Sequence, residues 1–200
     1  MNKTQIILAM VLMLALASNA VAQSPNPIKV YVGGGLSMPL KPSAFKDSYD
    51  NGYHAFAGVG MSVFPMVQGV AKVAWHQFPF DDQGIYSGGE QNIVMFGADA
   101  RIAPSTPGMP FKPYGFVGLG FATIKNSDLS LLSGEPIKVG TVQWQSFVED
   151  QTKLYYNLGA GAEIGGMPIF RILVQANWVT IMTEGDDRSF VDVSVGAKLL

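Results

Sequence analysis

Apolar and polar residues take turns along most of this chain. In its closing segment Val191, Val193, Val195, Ala197 and Leu199 alternate with Asp192, Ser194, Gly196 and Lys198. That period of two gives a β-strand one oily and one polar face. Seven further segments share it. Ile28, Val30, Val32, Leu36 and Met38 oppose Lys29, Tyr31, Gly33, Gly35 and Ser37, and Tyr53, Ala55, Ala57, Val59, Met61 and Val63 oppose His54, Phe56, Gly58, Gly60 and Ser62. Ala71, Val73 and Trp75 stand against Lys72, Ala74 and His76; Val94, Phe96, Ala98, Ala100 and Ile102 stand against Met95, Gly97, Asp99 and Arg101. Val117, Leu119 and Phe121 face away from Tyr114, Phe116, Gly118 and Gly120. Leu154, Tyr156, Leu158, Ala160, Ala162 and Ile164 face away from Tyr155, Asn157, Gly159, Gly161 and Glu163, and Phe170, Ile172, Val174, Ala176 and Trp178 from Arg171, Gln175 and Asn177. Eight strands are therefore predicted. Short turns rich in Pro and Gly (PMVQG, PSTPGMP, GGMP) alternate with longer polar connections at residues 41 to 52, 81 to 91, 126 to 152 and 184 to 189. Tight turns thus fall at one end and long loops at the other.

Two-faced strands occur in soluble sandwiches and barrels as well as in membranes. A soluble barrel turns its oily face inward and covers its exterior with charge. Here the polar face holds mainly Gly, Tyr, Phe, Ser and Asn, with few charges per strand, and ten glycines lie on it: Gly33, Gly35, Gly58, Gly60, Gly97, Gly118, Gly120, Gly159, Gly161 and Gly196. Glycine makes a poor strand exterior, but inside a narrow cylinder it leaves room for Tyr31, Phe56, Tyr114, Phe116 and Tyr155. The other face carries no charge across eight segments, each long enough to cross a bilayer when tilted. Its aromatics concentrate at strand ends: Tyr53, Phe121, Tyr156 and Trp178 toward the loops, Phe111 and Phe170 toward the turns. That distribution predicts two interfacial girdles. The predicted fold is all-β: an eight-stranded antiparallel up-and-down transmembrane β-barrel after an N-terminal signal peptide, closed because an open edge in hydrocarbon would leave peptide groups unpaired.

The hydrophobic content is 48% and the charged content only 14%. Part of the oil lies in the first residues, where Lys3 precedes an apolar run from Ile6 to Ala17 and a small-x-small site at Ala20, Val21 and Ala22. We read residues 1–22 as a signal peptide, 23–27 as a short N-terminal segment and 28–200 as the barrel. No later stretch approaches the ~18 consecutive apolar residues of a membrane helix. The absence of cysteine excludes disulfides, thiolate metal sites and a lipid-bearing cysteine. Without its leader the chain has 12 basic and 15 acidic residues, a balance that gives no footing for nucleic acid.

With its export signal, eight alternating strands, the glycine-studded PYGFVGLGF and an end inside the last strand, the sequence resembles the small outer-membrane barrels, the group of outer-membrane protein X and the transmembrane domain of outer-membrane protein A. The resemblance implies an outer-membrane location, a polar filled interior, contact with outer-membrane lipid and lipopolysaccharide, and assembly by the outer-membrane machinery. Members usually end in a lipid-facing aromatic residue; this chain ends Leu199-Leu200, and strand parity puts Leu200 on the lumen side.

Inward charges acquire heights once strand directions are set. Lys29, Lys72, Arg101, Arg171 and Lys198 fall near the turn end, with Glu163 beside them and Asp99 slightly higher, and buried charges are tolerated only when paired or hydrated. A salt-bridged plug in one layer is expected, with Glu163 and Asp99 against Arg101, Arg171 and the lysines; a solute-selecting constriction is the alternative. Of the 15 acids, 12 lie in the long connections: Asp47, Asp50, Asp81, Asp82, Glu90, Asp128, Glu135, Glu149, Asp150, Glu184, Asp186 and Asp187. They are solvated, or they bridge divalent cations to lipopolysaccharide or a surface partner, with Asp81, Asp82, Asp186 and Asp187 as oxygen donors. No loop has calcium-motif spacing, so the sequence assigns no metal site. Val139, Thr141 and Gln143 predict a hairpin above the membrane in the third loop.

An enzyme here would need a nucleophile and a base, and only His54 and His76 offer the base. Neither is followed two residues on by the serine that resemblance to lipid A deacylase barrels would require. His54, Asp192 and Ser189 form a candidate triad, set against a buried, hydrogen-bonded histidine. No phosphate-cradling loop is present, since Gly33 to Gly35 and Gly58 to Gly60 lie within strands. The sequence therefore predicts a non-enzymatic protein without cofactor, structural or surface-binding, with a narrow channel or hydrophobic-solute conduit as the alternative and a lipid-modifying enzyme or soluble periplasmic barrel behind it.

Overall fold

The structure, a computed structural model, describes residues 28–80, 86–87, 89–104, 110–126, 130–131, 151–165 and 170–199. The leader (1–22), residues 23–27, the third-loop hairpin and Leu200 lie outside them. Eight long strands are present: β1 (Lys29–Lys41), β2 (Gly52–Phe64), β3 (Val67–Pro79), β4 (Glu90–Ile102), β5 (Phe111–Asn126), β6 (Gln151–Ile164), β7 (Phe170–Ile181) and β8 (Arg188–Leu199). Each pairs antiparallel with its sequence neighbours, and β8 closes on β1 from Val30 opposite Leu199 to Met38 opposite Val191. Closure satisfies every edge, as a lipid-embedded sheet requires. At 12 to 16 residues the strands exceed the ~9–11 needed for the bilayer, so both rims stand in the interfacial zones.

The two faces sort as the alternation predicts. Leu119, Phe96, Leu158 and Val195 are 60% to 68% exposed, whereas Asp99, Arg101, Glu163, Asp192 and Lys198 are 8% exposed or less. An apolar belt around the whole circumference with ions inside is stable only in lipid. Tyr53, Phe121, Tyr156, Trp178 and Phe111 project outward near the rims, and Phe64 joins the turn-end girdle. The interior glycines make room for rings. A Cβ on Gly161 would stand 2.7 Å from the Tyr114 ring, one on Gly33 2.7 Å from Phe56, and one on Gly159 would run into Phe116.

The first long connection is not the plain polar loop its composition predicts. Residues Ser43–Ser48 form a short helix, α1, after Pro42, whose carbonyl accepts from the Phe45 and Lys46 amides at 3.0 Å. Phe45 is the reason: it is buried, edge-on to Phe78 at 5.2 Å and beside Tyr49 at 5.6 Å. Tyr49 pairs by an isolated bridge with Phe80, their rings 5.7 Å apart. Further out, Tyr86–Ser87 pairs with Ser130–Leu131, joining the second and third long loops. Among the described residues no helix is long and apolar enough to cross a membrane.

Candidate functional site

Side chains fill the lumen in three tiers. At the turn end Glu163 of β6 collects the cations. Lys198 donates to both of its oxygens at 2.8 and 2.7 Å, Arg101 Nη1 lies 3.5 Å away and Arg171 Nε 3.9 Å away. Arg101 also lies between aromatic faces, its guanidinium carbon 4.0 Å from the Tyr114 centroid and 4.6 Å from that of Tyr31. Such stacking offsets part of the desolvation of a buried guanidinium. The two hydroxyls point on to glutamines: Tyr31 donates to Gln68 at 2.8 Å and Tyr114 to Gln175 at 2.9 Å.

The middle tier holds a separate pair, Lys72 to Asp99 at 2.8 Å, with the lysine 5.8 Å from the Phe116 ring. The single charged layer expected from the sequence is thus two. Register is the cause: Asp99 stands opposite Val70 and Lys72 opposite Gly97, above the level at which Lys198 meets Arg171. Lys29, also expected in the layer, bonds Ser62 at 2.9 Å at the turn-end rim. Asn157 donates to Asn177 at 3.2 Å on the far wall.

The loop-end tier is a compact polar knot that crosses the closing seam. Ser37 of β1 stands opposite Asp192 of β8, and its hydroxyl donates to the carboxylate at 2.6 Å. The same oxygen lies 3.0 Å from His54 Nδ1 and 3.1 Å from His76 Nδ1. A hydroxyl has one proton and two lone pairs, so both imidazoles donate from Nδ1 in this arrangement. His54 stands opposite His76 on one side and Gly35 on the other, and Gly35 stands opposite Ser194. Because Gly35 has no side chain, His54 Nε2 reaches across β1 to Ser194 Oγ at 2.8 Å. Rings wall the knot: His76 lies 4.9 Å from Phe190 and stacks on His54 at 5.2 Å, while His54 stacks on Phe56 at 6.4 Å. Phe78 and Phe190, with Phe45 of α1 behind them, cap it toward the loops.

The candidate triad does not assemble as expected. Ser189 bonds Thr180 at 3.0 Å, and Ser37 takes the place beside His54 and Asp192. Parity puts Ser37 inside, but only the β1–β8 register brings it to Asp192. Among the described loop acids, Glu184 pairs with Lys153 at 2.6 Å. Asp81 and Asp82 lie outside the described residues.

Fold and interior together define a small transmembrane β-barrel with an oily exterior and a side-chain-filled lumen. The chain belongs to the outer membrane protein beta-barrel domain family, whose pattern it matches over residues 6–198. It is an outer-membrane β-barrel protein. Solved structures share the fold at low identity. Neisserial surface protein A is 12% identical with a TM-score of 0.62, covering 86% of this chain and 96% of that one. The attachment invasion locus protein Ail of Yersinia pestis, in complex with the heparin analogue sucrose octasulfate, is 14% identical with a TM-score of 0.50, covering 88% and 100%. A major outer membrane protein from Thermus thermophilus is 11% identical with a TM-score of 0.51, covering 86% and 98%. Comparison with curated proteins finds no match.

Proposed function

We propose that this protein is a closed barrel with a structural and surface-binding role, exported through a cleaved signal peptide (residues 1–22) and standing in the outer membrane with its long loops outward. The observation that carries the reading is the occupied lumen. Glu163 with Lys198, Arg101 and Arg171 blocks the turn end, Lys72 with Asp99 crosses the middle, and the cavity beside His54 and Asn177 is only ≈ 10 Å³. That is room for about one water, not a hydrated path. Binding then belongs to the outer face and rim. The four long connections carry 12 acids against 4 basic residues, Lys41, Lys46, Lys138 and Arg188. Such a surface repels a polyanion like the ligand of the Yersinia protein and favours divalent cations that bridge to lipopolysaccharide or an acidic partner. The non-enzymatic reading rests on the same interior, where every hydroxyl beside the histidines is already engaged.

Planar-bilayer recording of the purified, folded protein tests this. Conductance should stay at the level of the bare bilayer, and steady, large openings would replace the closed barrel with the narrow-channel alternative.

A further inference from the structure

We propose that His54, His76 and Asp192 form a binding site for a borderline first-row transition-metal dication, with Zn²⁺ as its reference ion, inside the loop end of the barrel. Two imidazoles and a carboxylate are the donor set such ions take, and the three residues offer one ligand atom each within 4.8 Å of one another. Asp192 Oδ1 lies 3.7 Å from His54 Nδ1 and 3.5 Å from His76 Nδ1. A tetrahedral ion with bonds of ~2.0–2.1 Å holds its ligand atoms about 3.3–3.4 Å apart, so the two Asp192 edges need shorten only slightly, while the widest separation in the cluster, up to 4.8 Å, has to close by rotation of the imidazoles. Ser37 Oγ, 2.6 to 3.1 Å from all three, now bridges them over the centre of the triangle, and an ion entering there would displace it outward toward the position of a fourth donor.

The surroundings fit a metal better than a bare hydrogen-bond knot. Asp192 is 4% exposed, and its ion-pair partners among the described residues are the two imidazoles alone. Lys72 lines the same cavity but is held by Asp99. A dication supplies the positive charge that a buried carboxylate lacks. Coordination through Nδ1 requires each neutral imidazole to move its proton from Nδ1, where it bonds Ser37 in the metal-free barrel, to Nε2, a change of tautomer that releases no net proton. His54 then donates from Nε2 to Ser194, the outer partner that fixes ring orientation in metal sites. Ring planes are held by Phe56 and Phe190, which also exclude bulk water. The ligands come from β2, β3 and β8 with Ser37 from β1, so the ion would tie the last strand to the first.

The full-length barrel is folded from urea into detergent micelles with Zn²⁺ or Co²⁺, washed with excess Ca²⁺ to strip loop carboxylates, desalted and assayed for bound metal. We expect one Zn²⁺ per barrel, the intense visible bands of four- or five-coordinate Co²⁺, and a higher temperature for the heat-modified shift on gels. His76→Ala and Asp192→Asn should abolish retention, and Ser194→Ala should weaken it by ~10-fold or more. Zn²⁺ no greater than in a folded His54→Ala/His76→Ala barrel, or the pale spectrum of six-coordinate aquo Co²⁺, overturns the proposal. Gel mobility shows whether each variant folds. Where one does not, the wild-type Co²⁺ spectrum decides: its bands support the site, and their absence overturns it.

Discussion

Glu163 carries the charge balance of the turn-end tier, since Lys198, Arg101 and Arg171 all face its two oxygens. Removing one member of a buried ionic group leaves the others uncompensated, at about 3–5 kcal/mol. Glu163→Gln should lower the stability of the folded barrel by that amount in urea titrations, and a loss below ~1 kcal/mol would mean that water, not Glu163, solvates these cations. Glycine acts at the same scale through absence. Gly161→Val should cost roughly 1–3 kcal/mol because its Cβ meets Tyr114, whereas Gly69→Ala, whose Cβ finds only Val63 at 3.5 Å, should be nearly silent in the same titration. That Glu163 and Gly161 point inward is legible from alternation. Their partners are not: Glu163 and Arg101 are 62 positions apart, and His54 and Ser194 are 140 apart.

At the scale of the element each strand is solvated twice, by lipid on one face and by packed side chains on the other. Leu119, near the middle of β5, is 68% exposed toward lipid. Leu119→Arg should cost about 2–4 kcal/mol in vesicles, against ~0–1 for Phe111→Arg at the rim; equal costs would mean that the belt is not centred on the bilayer. Helix α1 is an element that polarity conceals, because a six-residue helix shows too little periodicity to stand out and is held by one buried ring. Phe45→Ala should make residues 43–50 cleavable by added protease while leaving the gel mobility of the barrel unchanged. Outside the membrane, Lys153 hydrogen-bonds Glu184 and holds its carboxyl below the usual carboxylate range. A depressed carboxylate pKa means that the pair contributes above the unfolded value and is lost as pH falls through the folded one. Lys153→Ala should return Glu184 to the ordinary range in an NMR titration, and an unchanged midpoint would reject the pairing.

For the whole molecule, the sequence by itself determined strand number, the end at which tight turns gather, which face meets lipid and which charges are buried. Strand number and sidedness follow from a local period of two, because neighbouring residues on a strand must point to opposite sides, and the charge-free make-up of one face with glycines on the other decides which of them meets lipid. Only the tertiary structure decided which buried groups meet. Splitting the expected single layer into Glu163 and Lys72–Asp99 tiers, and assembling Ser37, His54, His76 and Asp192, both depend on stagger between strands. The latter also needs β8 to close on β1, 155 positions separating Ser37 from Asp192. Alternation repeats every two residues and so gives the same sidedness for any even shift of register. The offset that prevails is a property of the closed cylinder, set by how rings fit over glycines and charges over counter-charges around the full circumference.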